Sequence, residues 1–317
     1  MPFYYTVEGF TDKHALTSNG RSREVSRCPA GRVRPSLALT ERRLAAVRPV
    51  QPTSGDPETV LRRRVRMGGE VSAIRLRFLG CGDAFGSGGR MHTCFHVSAP
   101  KGQFLIDCGA SALIAMRRFG VEPNAIDAIL VTHLHGDHFG GIPFVILDAQ
   151  FVSKRTRPLL IAGPLGMKRA VTGAMEMMFP GSSRVQQRFA IDIVELVPER
   201  SQAFKAGVVI AYEVEHPAGE VRLALRTECD GKVITYSGDT GWTPSLVPAA
   251  READLFIAEA YFFNKRLKDH LDFETLQMHL GELSPRRWIV THMSADMLEH
   301  LPALGCDYAE DGKVVML

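Results

Sequence analysis

Between positions 133 and 138 the chain packs three histidines and a carboxylate, in the run Thr132-His133-Leu134-His135-Gly136-Asp137-His138-Phe139-Gly140-Gly141. Imidazole and carboxylate are the ligands of a borderline divalent cation such as zinc. In an extended segment, residues two apart face the same way, so His133 and His135 can point at one metal. Asp137 and His138 fall in the tighter turn that opens a helix and can face a second. Gly136 lets the backbone turn without a Cβ clash. The whole chain of 317 residues has only 11 histidines, so three within six positions argues against a chance surface loop. The chemistry implied is catalysis at a bound metal ion.

Such ligands need elements to position them. The apolar run at 128–131 reads as a buried strand leading into the histidine loop. The segment at 74–79 alternates with period two and reads as a strand. Strands are expected at 93–97, 103–106 and 158–162, and a short helix over 111–119. A helix over 139–152 would carry Pro143 in its first turns, where the missing N–H is tolerated. A Met-rich helix over 165–178 is expected to pack its methionines into the core. From 189 to 197 and from 204 to 215 the chain turns β-rich. Further strands fall at 221–226, 232–236, 255–258 and 288–290. Helices are expected over 272–281 and 295–303, and an edge strand over 313–317. Strands alternating with helices point to an α/β chain with sheets between helical layers.

Composition bounds the class. An apolar fraction of 45% is enough for a sizeable core, and no apolar run approaches membrane-spanning length. The net charge of +3 conceals an asymmetry: residues 1–66 hold 13 Lys+Arg against 6 Asp+Glu, which leaves 25 against 29 for residues 67–317. A mildly acidic body gives no support to a broad nucleic-acid surface. Residues 1–66 are rich in Arg, Ser, Pro and Gly, and are expected to form a poorly structured or disordered N-terminal extension. The composition shift at Met67-Gly68-Gly69 suggests an upstream-extended start, testable by intact mass of natively expressed protein. The domain that carries the histidine loop is then expected at 67–317. Cys28, Cys81, Cys94, Cys108, Cys229 and Cys306 include no Cys-x-x-Cys pair. Free thiols in a reducing cytoplasm are the expectation. Cys81 and Cys108 read as small buried residues at strand ends.

The motif His-x-His-x-Asp-His resembles the signature of the metallo-β-lactamase-fold hydrolases, and its neighbours match in order. Gly80-Cys81-Gly82-Asp83-Ala84-Phe85-Gly86-Ser87-Gly88-Gly89 resembles the glycine loop of the ribonuclease Z-like branch. Leu105-Ile106-Asp107-Cys108-Gly109 resembles its strand-end Asp-Cys-Gly. Glu215-His216-Pro217, Tyr236-Ser237-Gly238-Asp239-Thr240 and Val290-Thr291-His292-Met293-Ser294 follow. The resemblance runs from about residue 71 to the C-terminus. It implies a four-layer αβ/βα sandwich with the site at one edge between the sheets.

On that resemblance His133, His135 and His216 complete a first metal site. Asp137, His138 and His292 complete a second, and Asp239 bridges both. Two divalent ions are implied, Zn2+ ahead of Mn2+ or Fe. Asp107, Thr132 and Thr291 are expected to orient the ligands. Asp137 and His270 are the catalytic candidates, His270 as general acid for the leaving group. His92 and His96 read as ordinary polar positions rather than substrate contacts.

The resemblance to ribonuclease Z itself fails in two places. That enzyme has His-Glu-Ala-Thr where this chain has Ala258-Glu259-Ala260-Tyr261. It also carries a tRNA-gripping arm, whereas only 23 positions separate His216 from Asp239 here, room for two strands and a turn. The connection is more similar to the small phosphodiesterases of the branch, such as the cyclic-ribose phosphodiesterase of phosphonate degradation, without its cysteine-rich structural zinc motif. The expected activity is hydrolysis of a small phosphodiester, cyclic or nucleotide-derived, with nucleic acid disfavoured. Alternatives are a ribonuclease Z-like tRNA 3′-end endonuclease, a lactonase or arylsulfatase-like esterase, and last a non-catalytic binding protein. A homodimer is implied by the family.

Overall fold

The computed structural model describes residues 73–215 and 221–317. All of these lie in the compact unit Met67–Leu317. The expectations for residues 1–66 and for His216 fall outside the described residues.

The first half of the chain lays down β1 (Arg75–Gly80), β2 (Cys94–Ala99), β3 (Gly102–Ile106), β4 (Ile126–Leu130), β5 (Leu159–Gly163) and β6 (Ile191–Glu195). The second half gives β7 (Ser201–Phe204), β8 (Gly207–Val214), β9 (Arg222–Cys229), β10 (Lys232–Tyr236), β11 (Leu255–Glu259) and β12 (Trp288–Thr291). The last strand, β13 (Val314–Met316), returns to the first sheet and pairs antiparallel with β1. One sheet has seven strands in the order β13-β1-β2-β3-β4-β5-β6; the other has six, β12-β11-β10-β9-β8-β7. β3 to β6 run parallel, as do β10 to β12. Parallel strands covered on both faces read as near-continuous apolar runs. The β11 sequence Leu-Phe-Ile-Ala-Glu is such a run, buried throughout.

Three apolar layers hold these sheets. Phe78, Phe95, Phe104, Leu223, Leu225, Tyr236 and Ile257 fill the space between them. Phe95 meets Phe78 and Tyr236 edge-on, with ring centroids 4.9 and 5.0 Å apart. Fully burying one such side chain stabilises by about 1.5–3 kcal/mol. Outside the first sheet pack α1 (Ala112–Arg118), α2 (Gly136–Phe139), α3 (Ile142–Leu147) and α4 (Met167–Met178). Outside the second pack α5 (Leu246–Ala250), α6 (Phe273–Leu283) and α7 (Ala295–Glu299). The result is the four-layer αβ/βα sandwich.

Three local expectations are corrected. The single helix over 139–152 is broken into α2, α3 and a π-turn at Asp148–Val152, because Gly140 packs its Cα against the Gly136 carbonyl and Gly141 against that of Gly109. The methionines of α4 divide: Met167 and Met175 are buried, whereas Met177 and Met178 are exposed. The helix at 295–303 stops at Glu299, and a 3-10 turn covers Leu301–Ala303.

His96 sits on β2, buried, with its Nε2 2.9 Å from Gln103 Oε1 on β3. Burial lowers its pKa to about 4; Arg75 and Arg77 push the same way, against the Gln103 hydrogen bond. An unfolded histidine titrates near 6.5. The neutral form therefore contributes stability that is full above that value and is lost as pH falls through it towards 4. At pH 5 the loss is about 2 kcal/mol. Urea unfolding of metal-free wild type should show this loss between pH 7.5 and 5. His96→Gln should lack that part of the slope, and equal slopes would refute the assignment.

Candidate metal centre

The histidine loop leaves β4, in the middle of the first sheet, at its C-terminal end. Val131 N still pairs with the Ala162 carbonyl, and the extended chain then delivers His133 buried and His135 exposed. α2 starts at Gly136, with His135 as its N-cap, and turns Asp137 and His138 inward. The ring of His133 lies 4.7 Å from that of His135 and 4.1 Å from that of His138.

Two strand ends from the second sheet close the cluster. Asp239 follows β10, after Gly238, whose φ of +63° is a left-handed conformation that glycine adopts without strain. Its carboxylate oxygens stand 3.7 Å from His133 Nε2, 3.3 Å from His138 Nε2 and 3.5 Å from His292 Nε2. His292 follows β12 with φ +55°, a strained value for a non-glycine residue. That turn aims its Nε2 at Asp137 Oδ2, 3.3 Å away, and at His138 Nε2, also 3.3 Å away. The possible ligand atoms of Asp137, His138, Asp239 and His292 all lie within 4.8 Å of one another, as do those of His133, His135 and Asp239. Of the seven residues the sequence nominated as ligands, the fold brings these six together.

The outer nitrogens are held. His133 Nδ1 lies 3.1 Å from Thr132 Oγ1, which donates to the Asp107 carboxylate at 2.9 Å. His138 Nδ1 donates to Asp107 Oδ2 at 2.6 Å. Asp107 itself is buried at φ +57° and also accepts from Thr132 N at 2.8 Å. The third buried imidazole, His292, has its Nδ1 3.3 Å from Glu259 Oε1, a charge contact rather than an aligned hydrogen bond. With Nδ1 of His133 and His138 engaged, these two rings turn Nε2 inward, the arrangement a metal-binding histidine needs. His133 Nε2 and Asp239 Oδ1 are buried with no hydrogen-bond partner. Orphaned buried atoms of this kind are costly, and a divalent cation among them satisfies both. The donor set of imidazoles and carboxylates fits such an ion, and this buried His/Asp cluster marks a divalent-metal site.

Electrostatics agree. Burial lowers His133 well below its ordinary range, and the His138 charge adds to that, so the ring is a neutral donor. For His138 and His292 burial pulls down, but the surrounding carboxylates win. His138 is held well above its usual value by Asp239 and Asp107, and His292 is raised to about 10 by Asp239 and Asp137. Asp137 and Asp239 are held well below the carboxylate range by these imidazoles, against burial. The pocket is built to contain positive charge.

Asp107→Ala would strand the Nδ1–H of His138 and the amide of Thr132. Removing such a partner typically costs 10–100-fold in metal affinity. Competition against a chromophoric chelator should show a loss of about that size. Unchanged affinity would deny Asp107 its orienting role. Gly109 lets its loop approach the ligand turn closely: a Cβ there would lie 2.2 Å from the Asp137 carbonyl oxygen.

Other nominated residues find different places. Thr291 Oγ1 donates to the Cys81 carbonyl at 3.4 Å, and His292 N to the same oxygen at 3.2 Å. Thr291 thus ties β12 to the glycine loop and is not bonded to a ligand side chain. His270 hydrogen-bonds Glu259 through Nδ1 and stacks on Tyr261, with centroids 4.6 Å apart. Burial lowers its pKa, but the Glu259 charge and hydrogen bond raise it further. Glu259 was not singled out by the sequence reading. It is fully buried, and its carboxylate also accepts from Thr240 N at 2.9 Å and Leu271 N at 3.4 Å. One signal could have found it: the lone acid that ends the apolar run of β11. Arg222, buried and donating to the Asp239 carbonyl at 3.4 Å, was also missed.

Residues 74–310 match the family model of the anti-Pycsar protein Apyc1. The chain belongs to the Apyc1 family. Within that family's match lie the histidine loop, Asp239, Glu259, His270 and His292. The chain is also 31% identical over 223 residues to ribonuclease Z of Lachnoclostridium phytofermentans, covering 56% of this chain and 71% of that enzyme. It is 25% identical over 276 residues to ribonuclease Z of Methanosarcina acetivorans, covering 70% and 88%. Two solved structures share the fold. The metallo-β-lactamase fold protein YhfI from Bacillus subtilis aligns with a TM-score of 0.64 at 17% identity, over 78% of this chain and 100% of that one. The short form of human tRNase Z aligns at 0.63 and 24%, over 76% and 98%. This Apyc1-family chain is a metallo-β-lactamase-fold, metal-dependent hydrolase.

Proposed function

We propose that the centre holds two divalent cations, zinc by preference, and hydrolyses a small phosphodiester, cyclic or nucleotide-derived. His133, His135, His216 and Asp239 would hold one ion; Asp137, His138, Asp239 and His292 would hold the other. The observation that carries this reading is the pair of orphaned buried atoms, His133 Nε2 and Asp239 Oδ1, within a cluster where His133 and His138 have their outer nitrogens engaged. Bound there, the cations would lower the pKa of water and offset charge on the phosphoryl oxygens.

The chain's own residues do the rest. Asp137, ionised at any ordinary pH, accepts a hydrogen bond from the attacking water and orients it. Water attacks phosphorus, the phosphorus–oxygen bond to the leaving group breaks, and His270 gives its proton to the departing oxygen. Glu259 holds His270 by Nδ1, so Nε2 is the atom that delivers the proton. Thr132 and Asp107 keep the histidine rings from rotating.

Phosphodiester size is argued from the connection between His216 and Asp239. β9 and β10 pair as a hairpin, Lys232 opposite Cys229, with Asp230 and Gly231 turning in the left-handed region. From 221 to 239 the described chain carries two strands and a turn, and no projecting arm. A second reading, RNA cleavage as in the relatives named ribonuclease Z, is favoured by their identity over most of their length. Five described cysteines are free, and no described helix is long and apolar enough to cross a membrane. These support the reducing cytoplasm as the working compartment. The homodimer is tested by light scattering.

The deciding experiment is a panel of phosphodiesters, precursor tRNA, lactone, thioester, β-lactam and sulfate ester on freshly metallated protein, with His135→Ala as control. Turnover of small phosphodiesters above the others is expected. Cleavage of a non-phosphorus ester with none of the phosphodiesters would overturn the choice.

A further inference from the structure

Tyr261 follows β11 by two residues, and its backbone is fixed from two sides. Its N–H donates to the Leu271 carbonyl at 2.8 Å, and its carbonyl accepts from Ser294 N at 3.0 Å. The first bond ties it to the residue after His270, the second to the turn that follows His292. The ring is thereby set between the two histidines. It lies 4.6 Å from the His270 ring, with planes 27° apart, and 5.9 Å from the His292 ring. Those two imidazoles stand 6.1 Å apart. Phe262 closes on the phenol edge-on at 4.8 Å. The general-acid candidate, a ligand candidate and a phenol thus form one triangle.

Packing does not account for the hydroxyl, because phenylalanine would stack on His270 and meet Phe262 equally well. Both hydrogen bonds that Tyr261 makes among the described residues come from its backbone, and the side chain is half-buried. A tyrosine that is partly withdrawn from water usually finds a partner for its O–H. Carboxylates gather around this one. Burial raises its pKa, and the charges of Asp83, Glu259, Asp239 and Asp137 add to that. The glycine loop supplies the first of these and the ligand cluster the last two. The phenol therefore faces the centre as a donor, not as a base.

In an in-line displacement, phosphorus lies between the attacking water and the departing oxygen, and its remaining oxygens carry charge around the equator. Asp137 is at the first of these positions and His270 at the second. Tyr261, touching His270 and His292, stands beside the line that joins them. A donor fixed there before the reaction stabilises the phosphoryl charge without reorganising.

We infer that the Tyr261 hydroxyl donates a hydrogen bond to a non-bridging phosphoryl oxygen, which makes Tyr261 a further catalytic residue. This rests on the phosphodiesterase reading above and adds the group that holds the phosphoryl oxygen. Water bonds to phosphorus, the ester bond breaks and the departing oxygen takes the His270 proton. The phenol keeps its own proton throughout.

Tyr261→Phe keeps the ring and removes only the O–H. Metallated wild type and variant are compared on an alkyl and a p-nitrophenyl phosphodiester, with metal content and a thermal melt as controls. The variant's kcat should fall roughly 10²- to 10³-fold on both substrates, with KM moving far less, because the contact is to an oxygen that does not leave. A loss confined to the alkyl substrate would mean that Tyr261 acts only through His270, and would overturn the inference. So would an unchanged kcat, and that result leaves the phosphodiesterase reading standing. Inorganic phosphate is titrated into both metallated proteins by calorimetry alongside, and the variant should bind it roughly three- to tenfold more weakly. Phosphate binding weakened in the variant, with no phosphodiester hydrolysed by wild type, would instead sink the reading of the reaction and keep the contact. Equal phosphate binding in that case would overturn both.

Discussion

Asp239→Asn is expected to abolish turnover, with kcat/KM falling by roughly 10³–10⁴ or more, because several kcal/mol of cation-derived stabilisation leave with the metal. Among the described residues, Asp239 is the one shared by all three groups of side chains that could hold a cation. Its oxygens stand between the Nε2 atoms of His133, His138 and His292, at 3.3 to 3.7 Å. The amide offers one neutral oxygen where the carboxylate offers two charged ones, so neither ion keeps its share. Chelation should silence wild type equally, and added zinc should restore wild type and not the variant. Metal content by mass spectrometry and a thermal melt complete the measurement. A folded Asp239→Asn protein that keeps two ions and most of its turnover would remove the dinuclear centre from the account.

His270→Ala is expected to lose activity according to the leaving group. For an alkoxide leaving group, the general acid contributes about 10²- to 10⁴-fold. For a p-nitrophenolate, which departs without protonation, the loss should be small. The pH profile carries a second signature. Burial pulls the His270 pKa down and Glu259 pushes it back up past its ordinary value. The acid form is therefore present at neutral pH, and activity on alkyl substrates should fall as pH rises through that raised value. The variant should lack this basic limb. Equal losses on both kinds of leaving group, with the limb unchanged, would assign His270 to structure alone.

Short-range chemistry was legible without coordinates. His133, His135, Asp137 and His138 are neighbours in the chain, and a strand end followed by a turn leaves few ways to arrange them. Asp107, Asp239 and His292 were legible because each closes a strand in a recognisable order. The two-strand connection between His216 and Asp239 followed from its length. The continuous helix expected over 139–152 is not found, because at the break Gly141 meets the Cys108–Gly109 backbone, which the sequence does not juxtapose.

What the chain alone determined, then, is which side chains can bind a cation and in what order the strands present them, since ligand type and spacing are local properties. The tertiary structure decided which distant side chains meet. Glu259 reaches His270, Thr240 and His292 from positions 11, 19 and 33 residues apart. Thr291 turned to the Cys81 carbonyl, and Trp242 stacked on His279. Of these pairings only Thr291 with Cys81 joins the two sheets; the others bring together strand ends, a loop and a helix on the second sheet's side of the chain, and no local pattern records such contacts.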